Sequence, residues 1–499
     1  MSDFDYADVQ GLVRFGYKKM TMASYALVRV KDPATARAWL RAAPVTSAME
    51  VQPPPTTALQ VGLTAPGLAA LGVPGWIIAE FSHEFRAGMA EESRSRQLGD
   101  VEANAPEYWL WGSPDRVPHL VVMFFGEPGP FEKFLQTSKG PSWSDAFDPL
   151  TWLDTSDFGG VEAFGFTDGI SQPEIDWNQK LRLLYNQFDY SNVVALWEFL
   201  LGYRNEYGKY TNRPLLDADV ATANLPTAED ALGKKDLGRN GTYLVFRQLQ
   251  QDVRLFWQFA LQQSGGNATQ AEKLASAMVG RTRSGDPLEP IQEQPIPGTE
   301  TKPGQKEQNR FTFEQDPTGG RCPFGAHIRR ANPRNTDFPN RPSDELTKLI
   351  TMAGFGPRGL RDDLTSSVRF HRIVRRGREY GTRLTPEEAL APVSGADPES
   401  GLHFICLNAN ITRQFEFLQN AWINSSKFSG LTGESDPLLG NRVPTPGCPV
   451  TTDFTLQNSG GLRRRISGMP RFIKVRGGAY FFLPGIRALR YFGQPDGSP

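Results

Sequence analysis

His119-Leu-Val-Val-Met-Phe-Phe125 is a continuous apolar run. Such a run is typical of a strand that is covered on both faces of a sheet. Upstream of it, residues 24–30 read as another strand, and residues 33–43 read as a helix because Pro33 stands in the first turn. A helix between two strands of this kind predicts an α+β unit, with helices packed on one face of a sheet.

The same patterns recur along the chain. They predict a strand near 57–63, short helices at 66–71 and 193–201, and later strands at 242–247, 402–407 and 479–483. Two of the later strands precede amphipathic helices, whose apolar faces are Val253, Phe256, Trp257, Ala260 and Leu261, and Ile411, Phe415, Leu418 and Trp422. Residues 178–235 read as an insertion, and 283–320 as a long polar loop. The recurrence suggests a duplicated architecture, although no residue-level repeat is visible.

Composition excludes several classes of protein. The 499 residues include 54 basic and 55 acidic side chains, which does not favour nucleic-acid or anionic-membrane partners. Cys322, Cys406 and Cys448 form no CxxC pair, which argues against a disulfide framework and a cysteine-based zinc site. No apolar stretch approaches the roughly 20 residues of a membrane span. The N-terminus also lacks the pattern of a signal peptide, so we expect a cytoplasmic protein.

Three segments could carry chemistry. Of five histidines, His327 stands apart because Gly325 and Ala326 leave bare backbone beside it, where a planar group could approach; the alternative is a partly buried histidine among arginines. Asp168 lies in Gly165-Phe-Thr-Asp-Gly169, which would otherwise be an ordinary turn. Arg375 ends an apolar pair in an arginine-rich stretch that could instead be a solvated face. Hydrolase, NTPase and Rossmann motifs are absent.

Taken together in chain order, the segments that contain Asp168, His327 and Arg375 resemble the signature of the dye-decolorising peroxidases. Gly165-Phe-Thr-Asp-Gly169 is similar to the GxxDG motif of that family, and Cys322-Pro-Phe-Gly-Ala-His-Ile-Arg329 to its proximal haem-ligand segment. Ile373-Val-Arg-Arg-Gly-Arg-Glu-Tyr-Gly381 is similar to its distal arginine segment. The resemblance spans nearly the whole chain, since it extends to residues 8–14, 198–203, 236–247 and 476–487.

The resemblance implies an α+β fold of two ferredoxin-like halves (the dimeric α+β barrel type), with antiparallel sheets and peripheral helices. Residues 1–235 would form the N-terminal half with the distal Asp motif, and residues 236–499 the half that carries the haem. It implies one haem b per chain, with His327 as the proximal iron ligand and Asp168 and Arg375 as catalytic residues that also face the cofactor. Hydrogen peroxide would be the oxidant, and bulky aromatic, dye or phenolic compounds the one-electron donors.

The implied chemistry rests on a proton shuttle. An ionised Asp168 can carry a proton between the two peroxide oxygens, and Arg375 can stabilise the charge on the leaving oxygen. Because a carboxylate stays a base at lower pH than an imidazole, we predict an acidic optimum with bulky dyes. One departure concerns the proximal side: Asn410 stands where the family pattern has an acid that tunes the imidazole, unless Glu416 or another acid replaces it.

Two other functions remain open at this point. A non-catalytic haem binding, storage or transfer protein would keep His327 but would need neither Asp168 nor Arg375. An α+β enzyme or binding module whose arginine-rich segment recognises an anionic ligand would contain no haem at all.

Overall fold

The structure is a computed structural model that describes residues 4–179, 191–206, 208–293, 296, 307–334, 346, 368–392, 395–444, 447, 449–457 and 462–495. Cys448 and parts of the predicted insertion 178–235 and loop 283–320 lie outside these ranges.

The strands are β1 Met22–Val30, β2 Thr57–Leu63, β3 Leu120–Gly126, β4 Phe147–Asp154, β5 Glu174–Asp176, β6 Val193–Ala195, β7 Leu215–Asp217, β8 Lys234–Asp236, β9 Thr242–Gln251, β10 Val374–Arg375, β11 Arg378–Gly381, β12 Ser400–Asn408, β13 Phe454–Leu456, β14 Arg464–Ile466 and β15 Ile473–Leu483. The α-helices are α1 Pro33–Ala42, α2 Ala65–Ala70, α3 Gly75–Ala79, α4 His83–Ala87, α5 Glu92–Leu98, α6 Phe131–Lys139, α7 Trp143–Ala146, α8 Val253–Gln263, α9 Ala268–Val279, α10 His327–Ala331, α11 Pro386–Leu390 and α12 Ile486–Phe492. A π-helical segment comprises Thr412–Glu416 and Leu418–Ile423. Short 3-10 turns cover Tyr6–Asp8, Gly11–Val13, Glu102–Asn104, Pro106–Tyr108, Pro114–Arg116, Leu196–Glu198, Val368–His371 and Phe428–Gly430.

One antiparallel sheet organises the described part of the chain, in the order β10-β12-β9-β15-β2-β3-β1-β4, with β11 also paired to β12. The first four strands lie in the order fourth, first, third, second, with α1 between β1 and β2 and α6 and α7 between β3 and β4. Taking β10 and β11 as one interrupted strand, β9, β10/β11, β12 and β15 repeat this order, with α8 and α9 and then the π-helical segment in the corresponding connections. The expected ferredoxin-like duplication is therefore confirmed.

Strand β15 joins the two halves because it pairs with β2 through Phe482 and Leu63. The C-terminal end of the chain thus closes onto the N-terminal half. The division at residues 235 and 236 stays a prediction.

Both faces of the sheet are covered, as the apolar run at 119–125 predicts. Every residue of β3 is buried. Val122 and Phe124 pack into one core with helices α1 and α8, whereas Val121 and Met123 pack into the opposite core. This alternation follows from the two-residue period of a strand.

Helix starts match their sequence signals. The Asp32 carboxylate accepts a hydrogen bond from the Thr35 amide at 2.7 Å at the start of α1, and Asp252 accepts one from Leu255 at 2.9 Å at the start of α8. Such caps satisfy amides that have no partner inside the helix.

Two details differ from the sequence-based expectations. The helix predicted at 193–201 is wrong: Val193–Ala195 pairs in parallel with β5, which occupies its backbone groups, and a single 3-10 turn follows. The helix predicted after strand 402–407 forms with π-helical hydrogen bonding, although Ile411, Phe415 and Trp422 are buried as expected. Within the described ranges, no helix is long and apolar enough to cross a membrane.

Candidate active site

A cavity of about 250 Å³ lies beside the second half of the sheet. A water molecule occupies about 30 Å³, so the cavity is far larger than a site for one or two buried waters. Leu249, Phe404 and Val475 line it from three neighbouring strands, and Phe415 and Leu418 line it from the π-helical segment. Asp168, His327 and Arg375 all line this same cavity. Segments separated by some 200 residues of chain are thus brought together.

Asp168 stands at the end of a hairpin formed by residues 160–169, here called the Asp168 hairpin. Its strands meet at a bridge between Val161 and Thr167, and the Asp168 amide donates to the Gly160 carbonyl at 3.1 Å. The chain then turns at Gly169, whose φ of +79° is costly for a residue with a Cβ. The Asp-Gly turn of the sequence is therefore real, and it directs the carboxylate of Asp168 to the cavity.

Arg375 is held beside Asp168 by the backbone as well as by charge. Its Nη1 donates to Asp168 Oδ1 at 2.8 Å. Gln172 fixes the arginine's main chain, because its Oε1 accepts from the Arg375 amide and its Nε2 donates to the Arg375 carbonyl, each at 3.0 Å. Three hydrogen bonds thus connect residues 168–172 to strand β10.

The charge of Asp168 is set by this pairing. Burial raises the pKa of Asp168, but the charge and hydrogen bond of Arg375, the Gly169 amide and the charge of Lys18 together bring the pKa below its ordinary value of 3.8. The carboxylate is therefore ionised at any pH above that value, so it is a proton acceptor across the mildly acidic range.

His327 begins α10 and faces the cavity from another side. Its Nδ1 lies 3.0 Å from Oδ2 of Asp436, a fully buried residue. Burial lowers the pKa of His327, but Asp436 more than offsets this and the pKa is raised. For Asp436 the two effects have the opposite signs: burial raises the pKa of its carboxyl, and the neighbouring imidazole brings that pKa below its usual value. Because Nδ1 is engaged by a carboxylate, Nε2 is left as the ring nitrogen available to a ligand.

The sequence left open whether Asn410, Glu416 or another acid lies behind the imidazole of His327, and the structure places another acid, Asp436, there. Asn410 caps the π-helical segment, with its Oδ1 accepting from the Arg413 amide at 2.8 Å. The alternative acid, Glu416, binds Arg94 at 2.6 Å and Tyr480 at 2.9 Å instead. Asp436 takes the place because its loop folds back on itself, with Asp436 Oδ1 capping the amides of Leu438 and Leu439, each at 2.9 Å.

Sequence reasoning missed Asp436 because it lies 109 residues from His327. A weak signal was present in Ser435-Asp436-Pro437, since Asp before Pro is a turn former whose carboxylate caps the following amides.

The other histidines make hydrogen bonds or packing contacts within the protein. His119 Nδ1 accepts from the Val30 amide at 2.9 Å, His403 Nε2 lies 3.1 Å from the Asp154 carbonyl, and His83 contacts Arg94. His371 also lines the cavity, and its ring stacks on Phe417 with 3.7 Å between centroids.

The arginines that follow Arg375 tie strands to the N-terminal segment. Arg376 donates to the carbonyls of Leu12 and Val13, and Arg378 donates to those of Tyr17 and Met20. These two guanidinium groups are occupied by main-chain oxygens, so neither is available to an anionic ligand.

Known proteins with similar sequences share one activity. The chain is 27% identical over 451 residues to the multifunctional dye peroxidase DyP2 of Amycolatopsis sp. (strain ATCC 39116 / 75iv2), covering 87% of this chain and 82% of that protein. It is 27% identical over 513 residues to the dye-decolorizing peroxidase msp1 of Mycetinis scorodonius, covering 97% and 86%. No protein-family model matches the chain.

Solved structures agree on the fold. A dye-decolorizing peroxidase in complex with 2,6-dimethoxyphenol superposes with a TM-score of 0.69 at 23% identity, covering 98% of this chain and all of that one. Similarity in sequence and in fold thus extends over almost the full length. The proteins that the chain resembles in sequence and in fold are dye-decolorising peroxidases, and the chain is a peroxidase that uses hydrogen peroxide as the oxidant.

Proposed function

We propose that this peroxidase would hold one haem b in the cavity, with His327 as the residue that would bind the iron and Asp168 and Arg375 as the residues that would act on peroxide. The observation that carries the proposal is that one cavity contains an imidazole backed by a carboxylate together with a carboxylate–guanidinium pair. A haem carrier would need only the first of these two features, and the similar proteins give that alternative no support.

The residues present fit a haem. His327 offers Nε2 to the cavity while Asp436 binds Nδ1, which is the usual arrangement behind a metal-bound histidine. Apolar side chains such as Phe166, Phe404 and Leu418 also line the cavity, as a flat macrocycle requires. A haem bound through His327 would supply the redox chemistry that peroxide reduction needs.

The protein's own contribution is proton transfer and charge stabilisation. Asp168 is ionised and can take the proton from one peroxide oxygen and return it to the other as the O–O bond breaks. The Arg375 guanidinium is permanently charged and can stabilise the negative charge that develops on the leaving oxygen. The 2.8 Å ion pair holds both groups at the same place in the cavity before peroxide arrives.

Phenolic and dye donors are the proposed reducing substrates, because one similar structure contains 2,6-dimethoxyphenol and the similar proteins are dye peroxidases. The test is oxidation of 2,6-dimethoxyphenol and of a bulky dye by the haem-reconstituted protein, with and without hydrogen peroxide, from acidic to neutral pH. We expect peroxide-dependent oxidation that is fastest on the acidic side. A haem-loaded protein that oxidises neither donor would support a haem carrier instead.

A further inference from the structure

Asn192, a residue of the predicted insertion, is buried (2% exposed) and does not itself line the cavity. Both ends of its carboxamide are used. Nδ2 donates to the Gln172 carbonyl at 2.7 Å, and Oδ1 accepts from Arg372 Nη2 at 2.7 Å. Because a carbonyl only accepts and a guanidinium only donates, these two partners fix the orientation of the amide. Asn192 thus bridges the segment that follows Asp168 and the segment that precedes Arg375.

The backbone holds Asn192 beside the segment that follows Asp168. Strand β5 begins two residues after Gln172, and it pairs in parallel with β6, whose first residue follows Asn192. Next to this pairing, the Glu174 amide donates to the Asn192 carbonyl at 2.9 Å. The position of Asn192 is therefore set by strand pairing as well as by its own side chain.

Each partner of Asn192 is connected in turn to the ion pair. Gln172 binds the amide and the carbonyl of Arg375 through its side chain, at 3.0 Å each. Arg372 precedes Arg375 by three residues in the segment that continues into β10. Both connections end at the main chain of Arg375, whose guanidinium reaches Asp168 at 2.8 Å. Without the bridge, one side of the ion pair could move relative to the other.

The charge of Asp168 depends on where Arg375 lies. Burial raises the pKa of Asp168, and the charge and hydrogen bond of Arg375 are the largest effects that oppose burial. The pKa of Asp168 should therefore rise if Arg375 is held less well beside it. The other charged groups that interact with Asp168 are Lys18, Glu162, Glu379 and His327.

We propose that Asn192 is a positioning residue for the peroxide reaction: it fixes the main chains on both sides of the Asp168–Arg375 pair, so that the base and the guanidinium stay aligned. The physical reason is that its carboxamide donates to one buried group and accepts from another, and its removal costs both groups that hydrogen bond. A misplacement of catalytic groups by about 1 Å can lower a rate by about 100-fold. The inference rests on the proposed roles of Asp168 and Arg375, and it gives the predicted insertion a part in the active site.

The test is the pH dependence, from pH 3 to 7, of the second-order rate constant for the reaction of the haem-reconstituted protein with hydrogen peroxide. Asn192→Leu has nearly the shape of asparagine but can form neither hydrogen bond. Its rate at pH 6 should fall about tenfold because the pair is less well aligned. The acid limb of its profile should move to higher pH by about one unit, since a close opposite charge lowers a carboxyl pKa by about one to three units and part of that effect is lost.

Asn205→Leu is the matched control. Asn205 is also a buried asparagine of the predicted insertion, and its Oδ1 accepts from the Lys209 amide at 3.0 Å. It does not line the cavity, so Asn205→Leu should keep the wild-type profile even if it unfolds more easily. If Asn192→Leu does not fold, Asn192→Ala carries the test, because it leaves space for water beside the two separated groups. Its acid limb should move in the same direction.

The Asp168 carboxyl can also be observed in the cofactor-free protein. ¹³C NMR of labelled aspartate carboxyls should show a resonance that is absent in Asp168→Asn. The pKa measured from this resonance should be higher in Asn192→Leu than in wild type and in Asn205→Leu. A role of Asn192 in the fold alone would leave this pKa unchanged.

Two results would overturn the proposal: an acid limb that stays in place in both Asn192 variants, or one that moves equally in Asn205→Leu. Asp168→Asn separates this proposal from the proposed function. If Asp168→Asn reacts with peroxide as fast as wild type, the proposed function fails. If Asp168→Asn is slow and both Asn192 variants keep the wild-type profile, only the role of Asn192 fails.

Discussion

Replacing Asp168 with asparagine should remove basicity from the cavity and little else. The asparagine side chain has nearly the same shape, and its amide oxygen can still accept the hydrogen bond that Arg375 Nη1 donates to Asp168 Oδ1 at 2.8 Å. The amide of Asp168, bonded to the Gly160 carbonyl at 3.1 Å, is not affected. The hairpin and the arginine should therefore stay where they are, and the variant isolates proton acceptance.

The expected loss follows from the size of general-base catalysis. A positioned acid–base group contributes about 100-fold to 10,000-fold to a rate. Because the pKa of Asp168 lies below 3.8 in the folded protein, wild type has the full benefit at pH 5. We expect the second-order rate constant for peroxide at pH 5 to fall by about 1,000-fold, which corresponds to about 4 kcal/mol.

Stopped-flow absorbance of the haem-reconstituted protein mixed with excess peroxide measures this constant. Glu379→Gln is the control, since it removes a half-buried carboxyl near Asp168 that does not line the cavity, and it should stay within about threefold of wild type at this pH. A rate for Asp168→Asn within about tenfold of wild type would refute the proposed base, because that loss is below the range of positioned acid–base groups.

Three further changes have defined outcomes. Arg375→Leu removes the charge that lowers the pKa of Asp168, so the acid limb of the peroxide reaction should move to higher pH and the rate should fall by about 100-fold; an unchanged pH–rate profile would contradict this. The ion pair also contributes to the stability of the wild-type fold. Because the pKa of Asp168 is lower in the folded protein, this contribution is present above the unfolded-state pKa and is lost as the pH falls through the folded-state value. Asp436→Asn should speed haem loss to an apoglobin acceptor by about 10- to 100-fold, and equal loss rates would argue against its supporting role. Arg247→Met leaves the carboxyl of Asp100 buried (3% exposed) without its cation, and should lower the free energy of unfolding of the cofactor-free protein in urea by about 3 kcal/mol. The double variant Asp100→Leu/Arg247→Met should recover most of that loss, and a fully stable single variant would contradict an ionised pair.

Local sequence patterns predicted most of the sheet. The run at 119–125 became the fully buried strand β3, and the apolar face that begins at Val253 became α8. These elements were predictable because strand and helix periods depend on neighbouring residues. The helix expected at 193–201 failed for the opposite reason, since Val193–Ala195 is fixed by pairing with β5, a partner that no local pattern specifies.

In the site, too, the residues within characteristic local sequences were predictable, and those positioned by distant contacts were not. Asp168, His327 and Arg375 each lie in a short segment with a characteristic sequence, so they could be proposed without a structure. Asp436 could not, because its place behind His327 depends on a loop held by Arg330, which donates to the Glu434 carbonyl at 2.7 Å. The hydrogen bond from Gln251 Nε2 to Glu162 at 2.6 Å was not predictable for the same reason, because the two residues are 89 positions apart in the chain.

The central claim is that His327 holds the haem iron in the cavity that contains Asp168. It is tested most directly by the absorption spectrum of the protein reconstituted with haem, recorded before and after one equivalent of hydrogen peroxide, for wild type, His327→Ala and His371→Phe. We predict a Soret band that peroxide shifts in wild type and in His371→Phe, and a band that is displaced or lost in His327→Ala. A wild-type spectrum retained in His327→Ala, or lost only in His371→Phe, would contradict the account.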